Sequence, residues 1–223
     1  MDFNLILPSL LLSAKTVGAS FALFVLLGIP LAYLLARKSL RYRWILETIV
    51  TLPLIFPPIA IGFVLLLLLG RNGWIGAYFY AWDIRFIFEF KGLVIAGFIA
   101  GLPLMVKPLQ SAIETFPKTI TEAAYLSGKS RFQTFVRVVL PCIKPSLIAS
   151  LLIASARALG EVGITLMLGG NIIGKTDTIS LAIYNAVFDG DYTLALVLCA
   201  ILIVVSLGVF GALHYFQSKE RLI

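Results

Sequence analysis

Apolar residues run along this chain in five long blocks separated by short polar stretches. The blocks cover roughly Ser13–Ala36, Trp44–Leu69, Gly92–Ile113, Pro145–Leu168 and Thr193–Gln217. Each holds about 20 residues or more, enough for a helix to cross a hydrocarbon core of about 30 Å. The pattern predicts an all-α membrane protein with about five transmembrane helices, residues 1–223 forming a single domain. Residues 1–12 are apolar but too short to span alone, so they are expected at the interface or leading into the first helix. They include Asp2 and no Lys or Arg, so the basic region of a signal peptide is missing, and the first block is expected to be a retained span.

Composition agrees with the pattern and narrows the classes. Of 223 residues, 60% are hydrophobic and 13% charged, against about 45–50% and about 25% in soluble domains. The formal net charge of +7 forms no basic domain, because the cations lie between apolar blocks, so nucleic acid is not an expected partner. Cys142 and Cys199 have no C-x-x-C spacing, and His214 is the sole histidine, so neither a disulfide framework nor a metal site is expected. Arg37, Lys38, Arg41 and Arg43 fall in the first loop, Lys118, Lys129, Arg131, Arg137 and Lys144 in the third, and Lys219 and Arg221 in the tail. Those 11 basic residues share one side, whereas Arg71, Arg85, Lys91 and Lys175 lie on the other. Positive charge marks the cytoplasmic face, which places the amino terminus outside and the carboxyl terminus inside.

Two features go beyond spans and topology. Pro30, Pro53, Pro57, Pro58, Pro103 and Pro108 lie within the spans. Each removes a helix donor and frees a carbonyl, which either kinks a helix or lines a pathway. The third loop, about residues 114–144, is long for a structureless connection. Thr119 or Thr121 is placed to cap a short helix, with Glu122 in its first turn, Ala123 and Ala124 within it, and Gly128 at its end. A second stretch, Ser130–Val139, carries Phe132, Phe135, Val136 and Val139 at helical spacing and ends before Pro141. The loop therefore predicts two short helices at roughly right angles, a knob for a partner's groove.

Glu122-Ala123-Ala124, then Gly128, then Val138-Val139-Leu140-Pro141 resembles the EAA loop of ABC-importer permeases, with Val138 where the family prefers Ile. Within that family the chain is most similar to molybdate-type permeases. Pro53-Leu54-Ile55-Phe56-Pro57-Pro58 with Gly62 resembles their second-span motif, and Gly70–Gly76 their first outer loop. Ala156–Gly163 resembles their Arg-x-Leu-Gly-Glu-Phe-Gly stretch, with Val162 in place of Phe, and Asn171–Tyr184 the loop after it. The resemblance implies a pore-forming permease in the prokaryotic cell membrane, built as a homodimer in membrane lipid. Its implied partners are cytoplasmic ABC ATPase subunits docked on Glu122, Ala123, Ala124, Tyr125, Leu126, Gly128 and Phe132, and an external oxyanion-binding protein. ATP hydrolysis would belong to the partner: no catalytic residue and no cofactor is expected in this chain. Tungstate or sulfate/thiosulfate transport in the same family is the near alternative. An ion-coupled secondary transporter is the other class, but it would favour inverted repeats and several intramembrane carboxylates.

Gly169–Thr176 matches the G-x-x-x-x-G-K-[ST] pattern of a P-loop. A membrane helix precedes it and no α/β domain fits after it, so it is expected to be an outer loop. Asn171, Lys175, Thr176 and Thr178 would there meet the binding protein or the entering anion, or simply form a Gly-rich turn. Arg157 falls near mid-membrane with Glu161 one turn on. Two charges at that depth require each other, an interior or a cavity. They are either a packing ion pair or a pathway gate, with Thr165 on the same stripe.

Overall fold

The computed structural model describes residues 3–37 and 40–218; side chains are described for 6–37 and 40–211. Asp2, Lys38, Lys219 and Arg221, counted above, lie outside the described residues. So does the side chain of His214.

The first helix starts earlier than the apolar block suggested. It runs from α1 (Phe3–Leu23) through a π-helical turn (Phe24–Gly28) into α2 (Ile29–Leu35). Residues 3–12 are helical and lead into the first apolar block, the second of the two placements expected for this stretch. Of this helix, Ile6–Leu35 is apolar and long enough to cross a membrane, as are Phe90–Glu114 and Tyr192–Gly211. The π turn ends directly before Ile29-Pro30, where Ile29 N–H donates to the Phe24 carbonyl. A proline ring clashes with the carbonyl four residues earlier, and the wider turn relieves that crowding. The same device recurs at Leu140-Pro141, preceded by a π turn over Phe135–Val139.

Two of the five blocks are broken helices rather than single spans. The second splits into α3 (Arg43–Ile55) and α4 (Pro58–Leu69). Phe56 is extended (ψ 142°), as a residue before proline must be, and Pro58 opens α4, where its missing N–H costs nothing. A bend of 47° then leads into α5 (Trp74–Tyr80). The stretch 81–89 beyond it is turn and coil. The fourth block splits into α10 (Lys144–Leu159) and α11 (Gly163–Gly169). After it the chain forms α12 (Ile179–Phe188), a ten-residue apolar helix within the stretch expected to be a loop. The last element among the described residues is α13 (Tyr192–Ser218).

The centre is α6 (Phe90–Glu114), which packs against α10, α1, α11, α2 and α3. Glycine permits its closest crossing. A Cβ on Gly101 would lie 2.4 Å from the Phe24 ring and 2.6 Å from the Ala154 carbonyl of α10. The main core, around Phe24, Leu35, Met105, Leu109, Phe135 and Ala154, lies toward the end where α2 and α6 finish.

A polar stripe runs down α1, which the hydropathy pattern concealed. Ser9, Ser13, Thr16 and Ser20 are buried at helical spacing. Ser20 donates to the Val94 carbonyl of α6, and Ser13 accepts the Ile179 N–H that opens α12. Small hydroxyl residues let membrane helices approach closely and hydrogen-bond across the contact.

Candidate functional site

The two helix breaks meet. A Cβ on Gly163, the first residue of α11, would lie 2.8 Å from Pro58 Cβ and 3.0 Å from Ile59 N, at the start of α4. One turn along α4, a Cβ on Gly62 would lie 2.8 Å from Met167 Cβ and 3.0 Å from Ile164 Cα. The second halves of both broken blocks are therefore in backbone-close contact. Irregular backbone at membrane depth is tolerated only where protein buries it or a cavity wets it.

Glu161 holds the joint. Its carboxylate is 1% exposed; one oxygen accepts the Ile164 N–H at 2.8 Å, and the other pairs with Arg157 at 2.6 Å. The free amides at the start of α11 and the guanidinium at the end of α10 thus share one buried acid. Ser180 of α12 donates to the Leu159 carbonyl, satisfying the last turn of α10. Arg157 keeps 33% of its side chain exposed. The expected pair therefore forms, but across a helix break rather than along a continuous helix. Thr165 is buried inside α11, beyond the break, and so is not one turn further on the same stripe.

At the end where α2 and α6 finish, the third loop forms two helical pieces. The first is α7 (Lys118–Leu126), which begins after Pro117. Neither Thr119 nor Thr121 caps it; Thr121 lies inside the helix and donates back to the Lys118 carbonyl. Its end is built as expected from Gly128 at φ +78°, with Gly128 N–H donating to the Tyr125 carbonyl and Lys129 N–H to that of Ala124. The second piece opens with a reciprocal cap between Ser130 and Gln133. It runs through α8 (Arg131–Thr134), the π turn and α9 (Leu140–Cys142), then bends 80° into α10. It passes through Pro141 instead of stopping before it, because the π turn makes room for the ring.

Among the predicted docking residues, Glu122, Ala123, Tyr125, Leu126, Gly128 and Phe132 are exposed, and Ala124 is buried against the bundle. Leu126 is 91% exposed, a bare apolar side chain on a helix that stands off the core. Behind this unit, Glu47 of α3 accepts from Arg43 at 2.9 Å and from Gln110 of α6 at 2.6 Å, and Glu114 accepts from the same two residues.

The opposite end carries the false P-loop. No strand precedes Gly169–Thr176; α11 does. Thr176 is 0% exposed, donating to the Gly169 carbonyl at 2.7 Å and accepting from Ile172 N–H at 2.8 Å, so its hydroxyl serves the loop itself. Thr178 is buried as well, so neither threonine lies on the surface expected to meet a partner. Asn171, half-buried at φ +52°, exchanges two hydrogen bonds with Asn185 of α12. Lys175 is the one of the four with an exposed side chain, and it pairs with Glu89 across the loops. Buried Asp177, not singled out in sequence, ties the loop to Ser9 and to Gly174 N–H.

This architecture has relatives. Residues 28–221 match the family described as binding-protein-dependent transport system inner membrane component. The molybdenum transport system permease protein ModB of Escherichia coli (strain K12) is 35% identical over 180 residues, covering 80% of this chain and 79% of that one. The sulfate transport system permease protein CysW of Synechocystis is 35% identical over 162 residues, 73% of this chain and 59% of that one. Among solved structures, a chain of a bacterial alginate ABC transporter, in complex with an alginate pentasaccharide-bound periplasmic protein, superposes with a TM-score of 0.74. That match covers 98% of this chain and 80% of the other at 21% identity, a likeness of fold. With a central apolar α6, paired helix breaks and an exposed two-helix loop, this chain belongs to the family of binding-protein-dependent transport system inner membrane components.

Proposed function

We propose that this chain forms the pore of an ATP-driven importer for molybdate, as one of two identical copies. The observation that carries the reading is the α7–α9 unit. The end of its first helix is fixed by Gly128 and the opening of its second by the Ser130–Gln133 cap, yet it presents Leu126 and Phe132 to solvent. An apolar knob on a rigid mount suits the groove of an ATPase subunit, and the 80° bend into α10 passes its movement to the bundle. That end faces the cytoplasm by its excess of basic residues, and the loop around Lys175 faces outside. Nucleotide hydrolysis belongs to the partner.

In the pathway, Glu161 keeps α10 and α11 joined at the break while Arg157 presents a partly exposed charge to the passing dianion. Lys175 offers a second positive charge at the outer surface, toward a binding protein. Molybdate is favoured by the similarity to the molybdenum permease of Escherichia coli; sulfate is the second reading, favoured by the similarity to the sulfate permease of Synechocystis.

The ATPase purified with this chain should hydrolyse ATP faster when a molybdate-loaded binding protein is added. Equal or stronger stimulation by the sulfate-loaded form would favour the second reading. Failure of any ATPase to co-purify would contradict both.

A further inference from the structure

A second charged feature lies apart from the helix breaks. Where α2, α6, α7 and α8 meet, a cleft of about 410 Å³ is lined by Arg37, Lys118 and Arg131, with Phe116 and Phe135 among the apolar walls. Glu114 is also on the rim, but Arg43 and Gln110 already engage it. None of the three cations has an ion pair among the described residues; Arg37 rests over the Tyr33 ring, 4.5 Å from its centroid. Thr134, 1% exposed, lines the same cleft, and its hydroxyl is buried without a hydrogen-bond partner. The three cations are exposed and solvated in the free chain, whereas the Thr134 hydroxyl is a buried group still lacking a partner.

The position of the cleft says what would supply that partner. Arg37 follows the 30-residue apolar stretch Ile6–Leu35, and Lys118 follows the apolar helix Phe90–Glu114. Both cations therefore follow a helix apolar and long enough to cross a membrane, the place in a sequence where headgroup-level charges are expected. On α7, Lys118, Thr121 and Tyr125 form the stripe that turns toward the cleft, and Glu122 and Leu126 lie on the neighbouring stripe.

We propose that this cleft binds the phosphate group of an anionic phospholipid, with the cations on the phosphate and the aromatic walls against the glycerol and upper acyl region. Basic pockets between membrane helices hold such headgroups. A bound lipid would tie α7 to the ends of α2 and α6 and so brace the unit from below. The proposal rests on the membrane placement of these helices and not on which anion is transported.

The test uses the full chain in neutral detergent, delipidated and titrated with phosphatidylglycerol or phosphatidylcholine, with bound lipid counted by native mass spectrometry. Each cation near a membrane surface contributes about fivefold in affinity for an anionic lipid. Phosphatidylglycerol should therefore be preferred by on the order of 100-fold. Replacing all three cations (Arg37→Gln, Lys118→Gln, Arg131→Gln) should abolish the preference. Arg85→Gln, at the other end of the molecule, should not change it. If the triple variant loses its helical circular dichroism, R37Q and R131Q singly should each lower the preference about fivefold. Equal retention of both lipids by the wild type, or an unchanged preference in the folded variants, would overturn the proposal. So would displacement of the lipid by excess inorganic phosphate, which would assign the cleft to a free anion.

Discussion

Glu161 to Ala removes two things at once. The Ile164 N–H loses its 2.8 Å acceptor at the start of α11, and Arg157 loses its 2.6 Å partner. Losing a side-chain cap costs about 0.5–2 kcal/mol. Breaking a fully buried ion pair costs about 3–5 kcal/mol. Arg157 is one-third exposed, so solvent recovers part of that, and the second contribution falls to about 1–2 kcal/mol. The sum, about 3 kcal/mol, corresponds to a fall in Tm of roughly 6–12 °C for a chain of this length. Glu161→Gln keeps an acceptor for Ile164 and loses the charge, so its fall should be about half as large, the share of the ion pair alone. The assay is thermal unfolding of the purified chain in detergent, with the Arg157→Gln single and the double variant completing a cycle. A coupling of about 1 kcal/mol or more is expected for partners in contact. Glu161→Ala melting within about 1 °C of the wild type, with no coupling, would refute the reasoning that this acid holds the break together.

Gly62→Val should lower stability by about 1–3 kcal/mol, because its side chain overlaps Met167 and the α11 backbone; unfolding by heat checks it. Leu126→Asp should leave the melting temperature nearly unchanged, since the side chain is exposed, but prevent co-purification of the ATPase. Thr176→Val should cost about 1–3 kcal/mol through its two buried hydrogen bonds, whereas Lys175→Met should cost under about 0.5 kcal/mol. Neither of these two variants should change nucleotide binding by the assembled importer, measured by ATP titration; a tenfold loss in both would revive the P-loop.

The apolar blocks were legible because they obey a rule of one dimension, length. The third and fifth spans, α6 and α13, agree with their blocks to within a few residues. Gly128 announced a helix end because only a residue without Cβ adopts φ +78° freely. What escaped was set by pairings distant in sequence. The break at Gly160 is stabilised by Glu161 reaching forward to accept the Ile164 N–H, and nothing in hydropathy distinguishes that from an uninterrupted helix. The α12 helix begins where Ser13, some 166 residues earlier, accepts its first N–H. Thr176 looked like a surface residue of a Gly-rich loop because its acceptor, the Gly169 carbonyl, is presented by the turn itself. One signal was available: Ser9, Ser13, Thr16 and Ser20 recur at helical spacing within an otherwise apolar block, which marks the packed face of α1.

The central claim is that this chain carries an oxyanion inward at the expense of ATP hydrolysed elsewhere. Proteoliposomes containing the chain, its ATPase and the substrate-binding protein outside test it directly, with ATP sealed inside and labelled molybdate added. Accumulation that requires ATP and is lost when Leu126→Asp removes the ATPase is the predicted result. Molybdate accumulation without ATP, driven by an ion gradient alone, would contradict it.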